Sequence, residues 1–162
     1  MVDRECPPEE SPPSTVPTSE GRDAVPDYRL EDQVGHLLRR AHQRHTAIFA
    51  ALIGEAGLTP TQFAALAKIR DFGEVSQNQL GRATAMDPAT SQGVVRRLYQ
   101  RKLIERDRDP ADLRRALLRL SPRGMALIEG CLAAALEISR ATLEPLDPGE
   151  RETFLTLLKK LI

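Results

Sequence analysis

The sequence predicts a mostly α-helical fold with one small β-hairpin. Three observations predict it: helix starts written as a capping residue plus proline, apolar stripes at helical spacing, and a single segment that alternates with period two. Four prolines directly follow a good capping residue, at Thr59-Pro60, Asp87-Pro88, Ser121-Pro122 and Asp147-Pro148. Proline at the first helical position gives up only an N–H that had no partner, while the oxygen of the residue before it accepts from the first turn. Gln62 after Thr59, Glu150 after Asp147 and Gln79 after Ser76 stand where a side chain can return that bond as a capping box. Helices therefore start at 59, 76, 87, 121 and 147.

Before these comes a first helix, about 30–54, set by periodicity alone: Val34, Leu38, Ala41, His45, Ile48 and Leu52 form one stripe with the spacing of a buried face. The second helix opens at Thr59. Two short helices follow, about 76–84 and 88–101, joined by Ala85-Met86-Asp87. Then Ala116, Leu118 and Leu120 alternate with Arg115, Leu117 and Arg119, a strand that pairs with 103–106 across the polar connection 107–114. Met125, Ile128, Leu132, Ala135 and Leu136 mark a long amphipathic helix. Phe154, Leu157, Leu158 and Leu161 mark the last one. The expected order is four helices, a hairpin and two helices.

Composition divides the chain. Its 162 residues hold 23 Lys plus Arg and 23 Asp plus Glu, a formal charge of zero, which taken alone argues against a nucleic-acid partner. Residues 1–27, however, carry seven acids, two arginines and six of the twelve prolines, so the remaining residues, 28–162, hold a surplus of five positive charges. So acidic and so poor in large apolar groups, 1–27 is expected to be a disordered tail, and 28–162 a single domain. The tail has neither the basic start nor the apolar stretch of a secretory signal. No charge-free run approaches the roughly 20 residues that span a bilayer, so a soluble, cytoplasmic protein without a membrane partner is expected. Cys6 and Cys131 make neither a disulfide framework nor a metal cluster, and no cofactor motif is present.

A short helix, a brief turn, a second helix and a hairpin make a winged helix-turn-helix, whose second helix enters the major groove. On that helix Val94, Val95 and Leu98 mark the buried side, and Ala89, Gln92, Gly93, Arg96 and Gln100 the opposite side, with Arg97 at its edge. Small residues near the N-terminal end permit close approach to bases, while Gln and Arg supply the donors that read adenine and guanine edges. Arg96, Arg97, Arg101 and Lys102 against Asp87 give a local charge of +3. A solvated helix face has the same charge pattern, and the position between a capped partner helix and a hairpin decides for DNA. Ser76, Gln77 and Thr90, at the openings of the two helices, complete the candidate contacts on this unit.

Here the residues resemble the MarR-type winged-helix transcriptional regulators, over roughly 30–162. The most specific part is Asp112-Leu113-Arg114, five residues, then Leu120-Ser121-Pro122-Arg123-Gly124, against a family pattern of Asp-x-Arg, five residues, Leu-Thr-x-x-Gly. Leu58-Thr59-Pro60-Thr61-Gln62-Phe63 is also similar to the family's second-helix opening. The resemblance implies that Arg114 reaches the minor groove from the wing, that Asp112 orients the wing's basic residues, including Arg115, and that the winged unit spans about 58–120. It implies a homodimer built on helices at about 30–54 and 121–162, a palindromic double-stranded operator, and repression. Where the family has Gly after the recognition helix, this chain has Lys102, a position where positive φ costs on the order of 1 kcal/mol.

The family also implies a sensor, in which a small aromatic or phenolic anion binds between the dimer and DNA-binding lobes and lowers DNA affinity. The first helix offers His36, Arg39, Arg40, His42 and His45 as candidate ligand-binding residues. Two readings of His45 stand: a satisfied core histidine, or, with His42 and a nearby arginine, a carboxylate site in a partly buried cleft. Tyr28–Gln33 and Gln43-Arg44-His45 are similar to the branch controlling breakdown of aromatic or nicotinate-type carboxylates, so an aromatic or heteroaromatic acid is the expected effector. Alternatives are a redox regulator through Cys131, a zinc regulator through His42 and His45, or a non-sensing architectural DNA-binding or protein-interaction module. With no phosphate loop, nucleophile motif or metal triad in the sequence, an enzyme is not expected.

Overall fold

The computed structural model describes residues 27–108 and 116–162. In chain order these form α1 (Val34–Ile53), α2 (Pro60–Phe72), β1 (Glu74–Ser76), α3 (Gln77–Ala83), α4 (Pro88–Gln100), β2 (Ile104–Arg108), β3 (Ala116–Leu120), α5 (Pro122–Thr142) and α6 (Pro148–Lys159). A short 3-10 turn precedes α1 and another, Gly54–Ala56, follows it. All five caps act as the sequence predicts: the side chains of Thr59, Ser76, Asp87, Ser121 and Asp147 each accept a first-turn N–H. The boxes at Thr59/Gln62 and Asp147/Glu150 are reciprocal. At Ser76 only the serine's half is made, from Gln79 N at 3.3 Å.

Two expectations need correcting. The sheet has three antiparallel strands in the order β1-β3-β2, not two. Glu74-Val75-Ser76 pairs with Arg119-Leu118-Leu117, and three residues are too few to display a period. On α1 the buried residues are Phe49 and Ile53, whereas Val34, Leu38 and Leu52 of the expected stripe are 67%, 45% and 43% exposed. Among the described residues only the C-terminal part of α1 is covered, chiefly by α5, with Phe63 of α2 against Phe49. Of the last two helices, α5 buries Ile128 of its expected stripe. Leu136 of α5 and Phe154, Leu157 and Leu161, from α6 and its end, are exposed, and α6 buries no residue. The apolar periodicity of α1 and α6 is real, but much of it marks a surface that the described residues leave exposed.

The core lies where the winged unit meets α1 and α5. Leu66 and Ile69 of α2, Leu80 of α3, Val94 and Leu98 of α4, Leu118 of β3 and Ile128 of α5 are almost fully enclosed. The α4–β2 junction is closed by Leu103 N donating to Leu98 O and Lys102 N to Tyr99 O, with Lys102 at φ +56°. These are the two bonds of a Schellman cap, in the left-handed conformation that a glycine would take there without cost. On this junction α5 begins. Ser121 Oγ donates to Lys102 O at 2.8 Å, Ser121 N donates to Leu103 O at 3.1 Å, and Gly124 lies directly against the Leu103 carbonyl.

Candidate nucleic-acid interface and effector pocket

The predicted recognition face is assembled on α4. Val94, Val95 and Leu98 are buried as expected, joined by Ser91, and Ala89, Gln92, Arg96, Arg97 and Gln100 are exposed on the other side. Gly93 is half-buried, and the Arg97 guanidinium folds over it, 3.7 Å from where a Cβ would stand. Asp87 fixes the start of the helix: Oδ1 accepts from Thr90 N at 2.9 Å and Oδ2 from the Thr90 hydroxyl at 2.5 Å. That hydroxyl bond, more than any other contact, holds the Asp87 carboxyl below its ordinary range. Thr90's donor is therefore committed to the cap, leaving only lone pairs for DNA. Gln77 is half-buried at the first position of α3, and Ser76 is buried with its oxygen in the cap, so Ser76 is a cap residue and not an exposed contact.

Between α3 and α4, Gly81 allows close approach to the Met86 carbonyl and the Ser91 side chain. Ala85, in the turn joining the two helices, takes φ +51°, which nothing in its residue type signals. Arg101, counted in the sequence toward the local charge of +3, is engaged elsewhere. Its guanidinium donates to Gly57 O at 2.6 Å and Ala56 O at 2.9 Å.

The wing's balanced charge also has a geometry. Register places Glu74, Arg119 and Glu105 opposite one another, and Asp107 follows Glu105 on the same face of β2. Arg119 pairs with Glu74 at 3.3 Å and with Asp107, and these carboxylates raise its already high pKa. Arg106 and Arg108 alternate onto the other face, opposite Leu118 and Ala116, with no acid beside them in the pairing. Sequence counting missed this pair because it summed both faces. Asp112, Arg114 and Arg115 lie outside the described residues, as do 1–26.

A cavity of about 610 Å³ opens between α1, α2 and α5. Phe49, Phe63, Ala67, Leu132 and Ile138 give it apolar walls, and His45, Arg70 and Ser139 its polar groups. Phe49 and Phe63 meet edge to face at 5.9 Å, leaving aromatic surface beside the space. A second cleft of about 370 Å³, between α1, α5 and α6, is lined by His42, His45, Thr142 and Phe154 among others. His45 lines both and bonds Thr142 Oγ1 through Nδ1 at 3.1 Å. Because the Thr142 hydroxyl itself donates to Ile138 O at 2.7 Å, Nδ1 is the donor, and Nε2 is left with a lone pair in the neutral ring.

The candidate ligand set is thereby divided. His36 accepts from Arg39 at 3.1 Å on an exposed part of α1, and neither these two nor Arg40 lines either cleft. Arg70, which the sequence reading missed, takes a place in the cavity wall, following Phe63 and Ala67 at helical spacing, with Nη2 also donating to Asp71 at 2.8 Å. A lone arginine continuing an apolar stripe was the available signal. Cys131 is buried, and desolvation pushes its thiol up, away from the reactive thiolate. Among the described residues no three His, Cys, Asp or Glu side chains converge as a metal site, and no helix is long and apolar enough to cross a membrane.

Comparison with known proteins points the same way. Residues 58–116 match the model of the MarR family. The HTH-type transcriptional repressor NicR of Pseudomonas putida is 43% identical over 148 residues, covering 91% of this chain and 93% of the relative. A probable transcriptional regulator from Pseudomonas aeruginosa superposes with a TM-score of 0.80 at 56% identity, over 83% of this chain and 100% of that one. BpsR of Bordetella bronchiseptica, whose DNA binding is regulated by 6-hydroxynicotinic acid, superposes with a TM-score of 0.79 at 46% identity, over 83% and 96%.

Proposed function

The chain belongs to the MarR family of transcriptional regulators, and from that premise we propose that it is a repressor that binds a palindromic operator as a homodimer and is released by a small aromatic or heteroaromatic carboxylate. The observation that carries the sensing part is the double role of α2. One side of it walls the cavity with Phe63, Ala67 and Arg70, and it also packs against α3 and α4, the helices of the DNA-binding unit. A molecule that fills the cavity acts on the support of the recognition helix. It shifts the population only if it binds the operator-competent arrangement less well than the other.

The cavity suits such a ligand. Its volume falls within the range of small-molecule sites, its walls are apolar, and Arg70 offers the planar donor pair that carboxylates take. His45 Nε2 accepts from a hydroxyl or ring N–H, or donates to a carboxylate once the ring is protonated. On the DNA side, Gln92, Arg96 and Gln100 read bases, with Ala89, Gly93, Gln77 and Arg97 near the duplex and the wing residues Arg114 and Arg115 in the minor groove, Asp112 orienting them. A second copy covers the exposed apolar faces of α1 and α6, which places two recognition helices about one helical turn apart. Such a function belongs to the cytoplasm.

The test is a thermal-shift screen of aromatic and heteroaromatic acids, starting with 6-hydroxynicotinic acid, followed by operator-release measurements on the hits. Arg70→Ala and His45→Ala are expected to raise the effector concentration for half-release by at least about tenfold, a change of one bidentate or charge-assisted contact, while operator affinity without effector stays within about threefold. An unchanged response in His45→Ala makes that residue a core histidine whose only partner is Thr142.

A further inference from the structure

We propose that Arg101 is a positioning residue, a clasp that ties the C-terminal end of the recognition helix to the corner between α1 and α2. The proposal rests on the operator-binding reading above. Its evidence is a pair of charge-assisted hydrogen bonds across 44 and 45 residues of sequence, from Nη1 to Gly57 O at 2.6 Å and from Nη2 to Ala56 O at 2.9 Å. The corner is shaped to receive it. Gly57 takes φ +63°, and a Cβ there would stand 3.4 Å from Nη2.

The clasp is not needed to finish α4. The cap made by Lys102 N and Leu103 N already closes that helix, so the guanidinium is free to serve another part of the chain. Without it α4 rests on α2, α3 and β2. With it α4 is also fastened to the last turn after α1, directly before buried Leu58 and the Thr59 cap of α2. This corner joins the two helices that carry His45, Phe49, Phe63 and Arg70 to the cavity. Whatever moves the corner moves the end of the recognition helix. The planar fork reaches two adjacent carbonyls at once, which the single ammonium of a lysine cannot do with the same geometry.

Three proteins decide the matter: wild type, Arg101→Lys and Arg101→Gln. Operator affinity is measured from about 50 to about 200 mM salt, and backbone hydrogen exchange is measured without DNA. As a clasp, Arg101 loses operator affinity in both variants, about tenfold for Gln and about threefold for Lys, with the salt dependence of wild type because no phosphate contact disappears. Exchange at residues 55–58 and at 101–103 rises together in Arg101→Gln. A salt slope lower by about one in Arg101→Gln, with full affinity in Arg101→Lys, makes the side chain a phosphate cation and overturns the clasp. Unchanged exchange at 55–58 overturns it as well. A wild-type chain that binds no operator refutes the reading on which the proposal rests, and the exchange comparison still decides whether the clasp holds the two segments together.

Discussion

Gly124 shows how little freedom a single residue can have. A Cβ built there would lie 1.9 Å from the Leu103 carbonyl oxygen and 2.8 Å from its carbon, both backbone atoms that cannot step aside. The first turn of α5 would have to lift from the α4–β2 junction, breaking the bonds from Ser121 to Lys102 O and Leu103 O. Gly124→Ala should therefore cost about 3 kcal/mol or more, the upper range for overpacking, seen as a lower urea midpoint at constant m. The neighbouring Lys102 runs the other way. At φ +56° a side chain is a burden, so Lys102→Gly should gain about 1 kcal/mol, or about 3 °C in Tm. A fall in Tm would mean that the lysine's packing outweighs its backbone strain.

At the scale of elements, the proposed operator binding divides recognition between α4 and the wing. Gln92 and Arg96 are exposed on α4, and in that proposal they read base edges, whereas a minor-groove arginine responds to groove width more than to base identity. Arg96→Ala or Gln92→Ala should lower the ratio of operator to random-sequence affinity. Arg114→Ala should weaken both affinities alike, as competition binding against random duplex will show. Equal loss of specificity from both kinds of change would end this division. What the sequence made legible here was whatever is local: the five caps and the α4 faces depend on residues three or four apart, while the cost at Lys102 came from the family resemblance. What it hid depends on distant partners. β1 exists because Val75 meets Leu118, Arg101 turns inward because of a corner 44 residues earlier, and Arg70 joins His45 only once α2 lies beside α1. Periodicity read the α1 stripe correctly as apolar, but amphipathicity does not say what covers a face, and the described residues cover only the C-terminal part of this one.

For the whole molecule, charge is distributed by segment and by face. The neutral total combines an excess of five negative charges in residues 1–27 with five positive ones in the rest. Within the latter, Arg119 absorbs the carboxylates of one wing face, and Arg101 is spent on backbone carbonyls, while Arg96 and Arg97 stay exposed on α4 and Arg106 and Arg108 on β2. An acidic segment on the same chain is expected to compete with phosphate for that surface, twice over in the proposed dimer. The competition is long-range and weak, so salt should erase it before it erases operator recognition, since the screening length shrinks to about 10 Å at 0.1 M. Deleting residues 1–27 should raise affinity for random duplex DNA by roughly threefold or more at about 20 mM salt, with the two proteins converging above about 0.2 M. Operator affinity should rise by the same factor, because the tail acts on phosphate attraction and not on base readout, so the specificity ratio stays constant. If the full-length and shortened proteins bind random duplex equally at low salt, the acidic segment is solvated and the basic surface of the folded part acts alone.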